Sequence, residues 1–435
     1  MAQFNSSNNS FQTHNKTLFE SMMIANKNSD IITLDNRFPV DAGAYTSKFR
    51  LKVSDFETVF FNTFQYHKEP DIWDEQSTSS GAAAFSASYS GVEMSVTSTA
   101  GSQIIRQTRQ VMRYVPGRSN ELSFGIRLTT PTIGVRRRFG LFDENNGVYF
   151  EDGGDGDYYC CIRNSNGVTG PTLARIPRSQ WNGDKLDGTG PYGITADPNA
   201  QHLILFEYEW YGAGTVSVRW IIDGVPHTIH TFYHANNLNT TWCATPFLPI
   251  RLELTNVTGA AGNHYLYQGS NSLIQDGSVS KLGVAASIGS PITGRTLTTA
   301  NVYYPVLSFR LKSANLAGIV IPTFFQAVTL DNTNIFYRII LNGTLTGASF
   351  VNHPNVNSFT QYDISATAIS GGVDLDSGFI AGASQGGAKI ATEAQARYQL
   401  GRSSMGTVSD IVTVAIAAVN ANKDGQASAT WVEIR

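Results

Sequence analysis

The chain has 435 residues, enough for about two to four domains at roughly 150 residues each. Charged residues make up 15% of it, against about 25% in an average soluble domain, and Asn, Thr, Ser and Gly take their place. The net charge of −3 argues against bulk nucleic-acid binding, and an odd count of three cysteines, two of them adjacent (Cys160, Cys161 and Cys243), implies no disulfide framework.

Residues 1–43 read as a polar N-terminal arm followed by one short amphipathic helix, "KTLFESMMIANKN", which together would serve as an anchor. The first residues carry no apolar core of a secretory signal, and no run of about 18 apolar residues spans a membrane. Folding in a cytoplasm is expected, so the sequons at Asn239 and Asn342 read as chance in an Asn/Thr-rich chain.

From residue 44 the pattern is one of strands. "VEMSVTST" (92–99), "ELSFGIRL" (121–128), "HLILFEYEWYG" (202–212), "TVSVRWIIDGV" (215–225) and "PIRLELTN" (249–256) place one set of side chains on a core. Asp223-Gly224 is a tight-hairpin signal, and turn signals recur about every ten residues. The expected fold is mainly β: an antiparallel β-sandwich or jelly roll of lectin-like type over 44–275, and a second, C-terminal β domain over 300–435. A Gly/Ser-rich connection over 276–299 would join them. Helices are few; "KIATEAQARYQL" (389–400) is the main helical pattern.

Four motifs invite a chemical reading. Gly188, Gly190 and Gly193 have the G-x-G-x-x-G spacing of a dinucleotide turn, but polar residues precede them, Pro191 interrupts them and a strand follows; no helix N-terminus is there to hold a phosphate. Ser384 lies in a G-x-S-x-G pattern, yet the last histidine, His353, precedes it, so the base of a nucleophile elbow is missing. His227, His230 and His234 are close enough in sequence to suggest zinc, but alternation puts only His230 and His234 on one face. The acidic loops 143–147 and 151–159 lack the ligand spacing of a helix-loop-helix calcium site. No catalytic residue, cofactor or metal is expected, and the protein reads as a non-enzyme.

Charge is more informative. Residues 101–140 hold eight arginines against Glu121, a net +7, and residues 141–157 hold six acids and no base. Arginine favours bidentate pairing with carboxylates, either within the sandwich or between subunits whose opposite faces meet. Arg136, Arg137, Arg138, Asp152, Asp155 and Asp157 are therefore candidate partner contacts.

At "QTRQVMRYVPGRSNELSFGIRL…GVRRRFGLFDENNGVYFE" the chain begins to resemble the large virion structural proteins of tailed bacteriophages, especially marine and other large-genome phages. The resemblance continues through "SQWNGDKLDGTGPYGITADPNAQHLILFEYEWYGAGTVSVRWIIDGVPHTIHTFYHANNL", "TPFLPIRLELTN" and "PVLSFRLKSANLAGIVIP", covering about 100–325. In such proteins the segment with Trp181, Asp184, Asp187 and Gly190 is a structural signature, and Gly183 stands where an apolar residue is more usual. The resemblance implies a structural subunit of the virion, assembled in the host cytoplasm. Its expected station is tail-associated (fibre, baseplate or tail adaptor), in a homo-oligomer of cyclic symmetry that contacts other virion proteins. Decoration of the capsid or collar is a variant. The alternative is an adhesin that reads host-surface glycan through exposed aromatics, with Trp210, Tyr211 and Tyr233 as candidate contacts. A tail-associated depolymerase is a third reading.

Overall fold

The computed structural model describes residues 55–165, 172–211, 214–277, 283–382, 388–390 and 398–434. The expected N-terminal arm and helix, and Ser384, lie outside them.

The fold is mainly β and antiparallel, with two short 3-10 turns among the described residues. The first sandwich packs an eight-stranded sheet against a seven-stranded one. Across the first sheet run Val225–Tyr233, Thr215–Ile222, His202–Tyr208, Asn120–Arg127, His264–Asp276, Gly91–Val96 and Ala82–Ser86, with Phe56–Asn62 also pairing with His264–Asp276. Across the second run Thr172–Pro177, Tyr158–Asn164, Gly147–Asp152, Val135–Phe142, Ile250–Asn256, Ser102–Thr108 and Trp73–Thr78. Alternation decides which side chains enter the core. Leu122, Phe124 and Ile126 point inward from one sheet, Val135, Phe139 and Leu141 from the other. The rings of Phe124 and Phe139 meet at 5.4 Å, and those of Phe150 and Trp220 at 5.5 Å. Asp223 and Gly224 take φ of 52° and 77° and turn the chain between Thr215–Ile222 and Val225–Tyr233, as that dipeptide predicts.

After Gly283 the described strands belong to other sheets, one of five strands, one of six and one of two. They enclose a separate core in which Trp431 stacks on Phe309 at 4.9 Å. The stretch 276–299, expected as a connection, contains two strands, Val284–Gly289 and Arg295–Leu297, both pairing with Lys423–Ile434. The helical pattern at 389–400 is also corrected over its described part: Ala388–Ile390 is a strand pairing with Phe325–Ala327.

Residues 398–410 bind the two sandwiches together. Asp410 is the hub, with 2% of its surface exposed. Its carboxylate accepts from Tyr398 Oη at 2.8 Å, Gly401 N at 2.9 Å and Asn342 Nδ2 at 2.8 Å, and pairs with Arg109 of the first sandwich at 3.4 Å. Arg402 N donates to Arg109 O, its guanidinium pairs with Asp143 at 2.8 Å, and Ser404 N donates to Asp74 Oδ2. Val111, Ile319 and Ile434 add a small apolar seam.

Candidate functional site

The arginine and acid blocks meet along one hairpin. Strands Val135–Phe142 and Gly147–Asp152 pair so that Arg137 opposes Asp152 and Arg138 opposes Glu151. Arg137 and Asp152 are both buried and bond at 2.7 Å. Burial raises the Asp152 carboxyl, while Arg137 pulls it back. On the outer face Arg175, Glu151, Arg138, Glu253 and Arg251 form one alternating chain of ion pairs. Against its own desolvation, Arg251 and Arg138 hold Glu253 below the ordinary carboxylate range. Arg136 flanks this chain, and burial beside Arg138 lowers its pKa. Asp155 bonds Arg175 and Tyr159, and Asp157 lies 3.6 Å from Arg178. The expectation of partner contacts is therefore corrected for Arg137 and Asp152, which are spent on each other inside the sandwich, while Arg138 pairs with Glu151 and Glu253 on the outer face of the same chain.

The glycine-spaced loop is built around a carboxylate. Asp184 is fully buried, and its two oxygens accept from Leu186 N at 2.8 Å and Tyr192 N at 2.9 Å. A Cβ on Gly190 would lie 2.5 Å from that carboxyl group, and one on Gly183 would lie 2.1 Å from Thr228 O. The spacing thus serves close approach of the loop to Asp184 and to a neighbouring strand. Trp181 anchors its start in the core, donating to Ile176 O at 3.1 Å.

His230 and His234 line a cleft of 410 Å³ at the sandwich edge with Phe232, Tyr233 and Trp242, while His227 packs against Tyr192. The alternation argument for them needs correction. A bulge at Ile229 resets the register, so His227 and His230 oppose Trp220 and Val218 and share a face. Among the described residues no group of three or more His, Cys, Asp or Glu is placed to hold a metal ion. His230 is instead packed on Phe232 at 4.5 Å, and burial lowers its pKa to about 4. Tyr233 is 57% exposed at the rim.

A larger cavity of 640 Å³ lies between the two sandwiches. Its apolar wall includes Trp210, Pro116 and Phe247 of the first sandwich and Phe359 of the second, with Arg113 and Asn315 as polar groups. Trp210 is half-buried and fixed by its Nε1 donating to Cys243 O at 2.9 Å, and its ring meets Tyr114 edge-on at 6.5 Å. Tyr211, 41% exposed, follows it at 6.3 Å. Trp210 and Tyr233 thus serve different clefts, while Trp220 and Trp242 are core. The cavity was not legible in sequence, because its walls come from several separate stretches spread from Arg113 to Ile434. The three thiols are buried, and burial pushes each upward.

No family model matches the chain, and neither does a curated protein. Among solved structures it is similar to a glycoside hydrolase family protein from Mycobacterium thermorestibile, at 12% identity over 49% of this chain and 99% of that one, with a TM-score of 0.35. It is also similar to the β-glucanase of Bacillus licheniformis (14%, 51% and 99%, TM-score 0.32). A legume lectin-like domain from Entamoeba histolytica follows (11%, 50% and 97%, TM-score 0.30). The antiparallel β-sandwich itself is read from the strand pairing. Several of these neighbours are glycoside hydrolases, which runs against the expectation of a non-enzyme.

Proposed function

We propose that the chain is a structural subunit of a tailed-bacteriophage particle, tail-associated and assembled by protein–protein contacts into a homo-oligomer. The sequence resemblance over about 100–325 supports this reading. One structural observation carries the assembly part of it. Strand Val373–Ile380 is the outer strand of the six-stranded sheet, paired only on one side among the described residues. Phe379 on it is 82% exposed, packed edge-on against Phe336 at 4.9 Å. An open edge with an exposed aromatic is a hazard in a monomer and a docking strand in an assembly. Asp374 and Asp376 on the same strand restrict which edges can pair with it. Sedimentation of the full chain tests this. A concentration-dependent oligomer that Phe379→Glu dissociates, with the fold intact, is expected; a monomer throughout, or an oligomer indifferent to the substitution, would contradict it.

The second reading is binding of host-surface glycan, favoured by the cavity beside Trp210. It is compatible with the first, because a particle subunit can carry a receptor-reading cleft.

A further inference from the structure

The cleft at the sandwich edge is uncharged and holds one unspent donor. It opens where the two sheets end: Val225–Tyr233 is the outer strand of one and Thr172–Pro177 of the other. Its volume of 410 Å³ lies within the range of about 300–1,000 Å³ typical of small-molecule sites. Ile162, Phe232 and Trp242 form an apolar floor, and the exposed Tyr233 and Leu238 form the rim. The Tyr233 ring, open to solvent on that rim, suits the C–H face of a sugar ring.

The bulge at Ile229 turns His230 inward beside it, and bulges commonly re-aim a side chain next to a site. His230 is 7% exposed. Asn182 N donates to its Nδ1 at 3.4 Å, which puts the ring proton on Nε2. Among the described residues nothing accepts from that Nε2–H, and the atom still meets solvent. A buried imidazole thus keeps one donor for whatever enters the cleft. Among the described residues no Asp, Glu, Lys or Arg lines it. Burial lowers both imidazoles below the ordinary histidine range, His230 to about 4. The wall is therefore neutral at pH 7, with no cation to offset the desolvation of a ligand carboxylate.

We propose that this edge cleft binds a neutral saccharide, its C–H face against Tyr233 and one of its oxygens accepting from His230 Nε2. The inference rests on the glycan-binding reading and adds to it a second place, apart from the cavity beside Trp210, and a ligand without charge. Ala174, exposed at the cleft wall, allows the site to be filled without touching the core.

The test is calorimetric titration of the full chain with lactose, cellobiose and mannobiose, and with digalacturonate and sialyllactose as acidic probes. The expected result is binding of a neutral probe about tenfold or more tighter than either acidic one, because an uncharged cleft strands a carboxylate. His230→Phe, which keeps a ring but no N–H, should weaken the neutral probe about fivefold or more, and His230→Gln, which returns an N–H, should recover part of that loss. Tyr233→Ala should weaken binding too, and Ala174→Trp should abolish it. Trp210→Phe, in the other cavity, should leave it unchanged; thermal unfolding confirms that each variant folds. If no saccharide binds, the glycan reading falls and this inference with it. Binding that favours the acidic probes, that ignores His230→Phe, or that is lost in Trp210→Phe but kept in Ala174→Trp would preserve the glycan reading and overturn the inference.

Discussion

Asp410→Ala is the most demanding test of how the two sandwiches are joined. The carboxylate is 2% exposed and takes hydrogen bonds from Tyr398, Gly401 and Asn342 as well as the ion pair to Arg109. Alanine leaves those donors without their acceptor. Arg109 retains Asp74 at 2.8 Å, so its own loss is partial. Removing one member of a buried charged network costs about 3–5 kcal/mol, and the orphaned donors account for most of it at about 1–3 kcal/mol each. Two cores within one chain unfold with no guarantee of a single transition, so the assay is amide hydrogen exchange segment by segment. Residues 398–410 should lose protection first, followed by the seam around Val111 and Ile319, while the strands around Phe139 stay protected. A destabilisation below about 1 kcal/mol, or uniform loss of protection over both sandwiches, would refute the role given to this segment.

Three further outcomes follow from the same reasoning. Asp184→Ala should cost about 2–5 kcal/mol by orphaning two backbone N–H groups, read as a lower urea midpoint of the fluorescence of buried Trp181. Gly183→Val, which introduces the apolar residue usual in look-alike proteins, should cost about 3 kcal/mol or more, because its Cβ would meet the main-chain oxygen of Thr228; an unchanged thermal midpoint would show that the loop can shift. His230 is held neutral by burial, with a pKa near 4 against about 6.5 in the unfolded chain. The unfolded state therefore binds the extra proton between those values, so this stability is complete above pH 6.5 and is lost as pH falls toward 4. His202 and His234 are shifted the same way by burial. His230→Gln should flatten the acid side of a denaturation-midpoint profile, and an unaltered slope would remove His230 as its cause.

The sandwich was legible because it is written in local alternation and turn chemistry: Leu122, Phe124 and Ile126, or Asp223-Gly224, declare themselves within a few residues. The structural role of the glycine-spaced loop was legible for the same reason, since Pro191 and the missing helix can be read in place. What a single sequence hides is register and distance. Arg137 and Arg138 face Asp152 and Glu151 only because of how one hairpin pairs, which turned expected partner contacts into ion pairs within the chain. The bulge at Ile229 reversed the parity argument for His227 and His230. The cavity joins Arg113, Phe247, Asn315 and Phe359, and Asp410 reaches Arg109 across about three hundred residues; neither has a local signature. At the described start of the helical pattern over 389–400, strand pairing prevails: Ala388–Ile390 pairs with Phe325–Ala327.

The central claim is membership of a phage particle, and location tests it most directly. Gold-labelled antibody against the chain, applied to purified particles before and after mild disruption and viewed by negative stain, should mark the tail: its fibres, baseplate or adaptor. Absence of label from pure particles under both treatments would contradict the account.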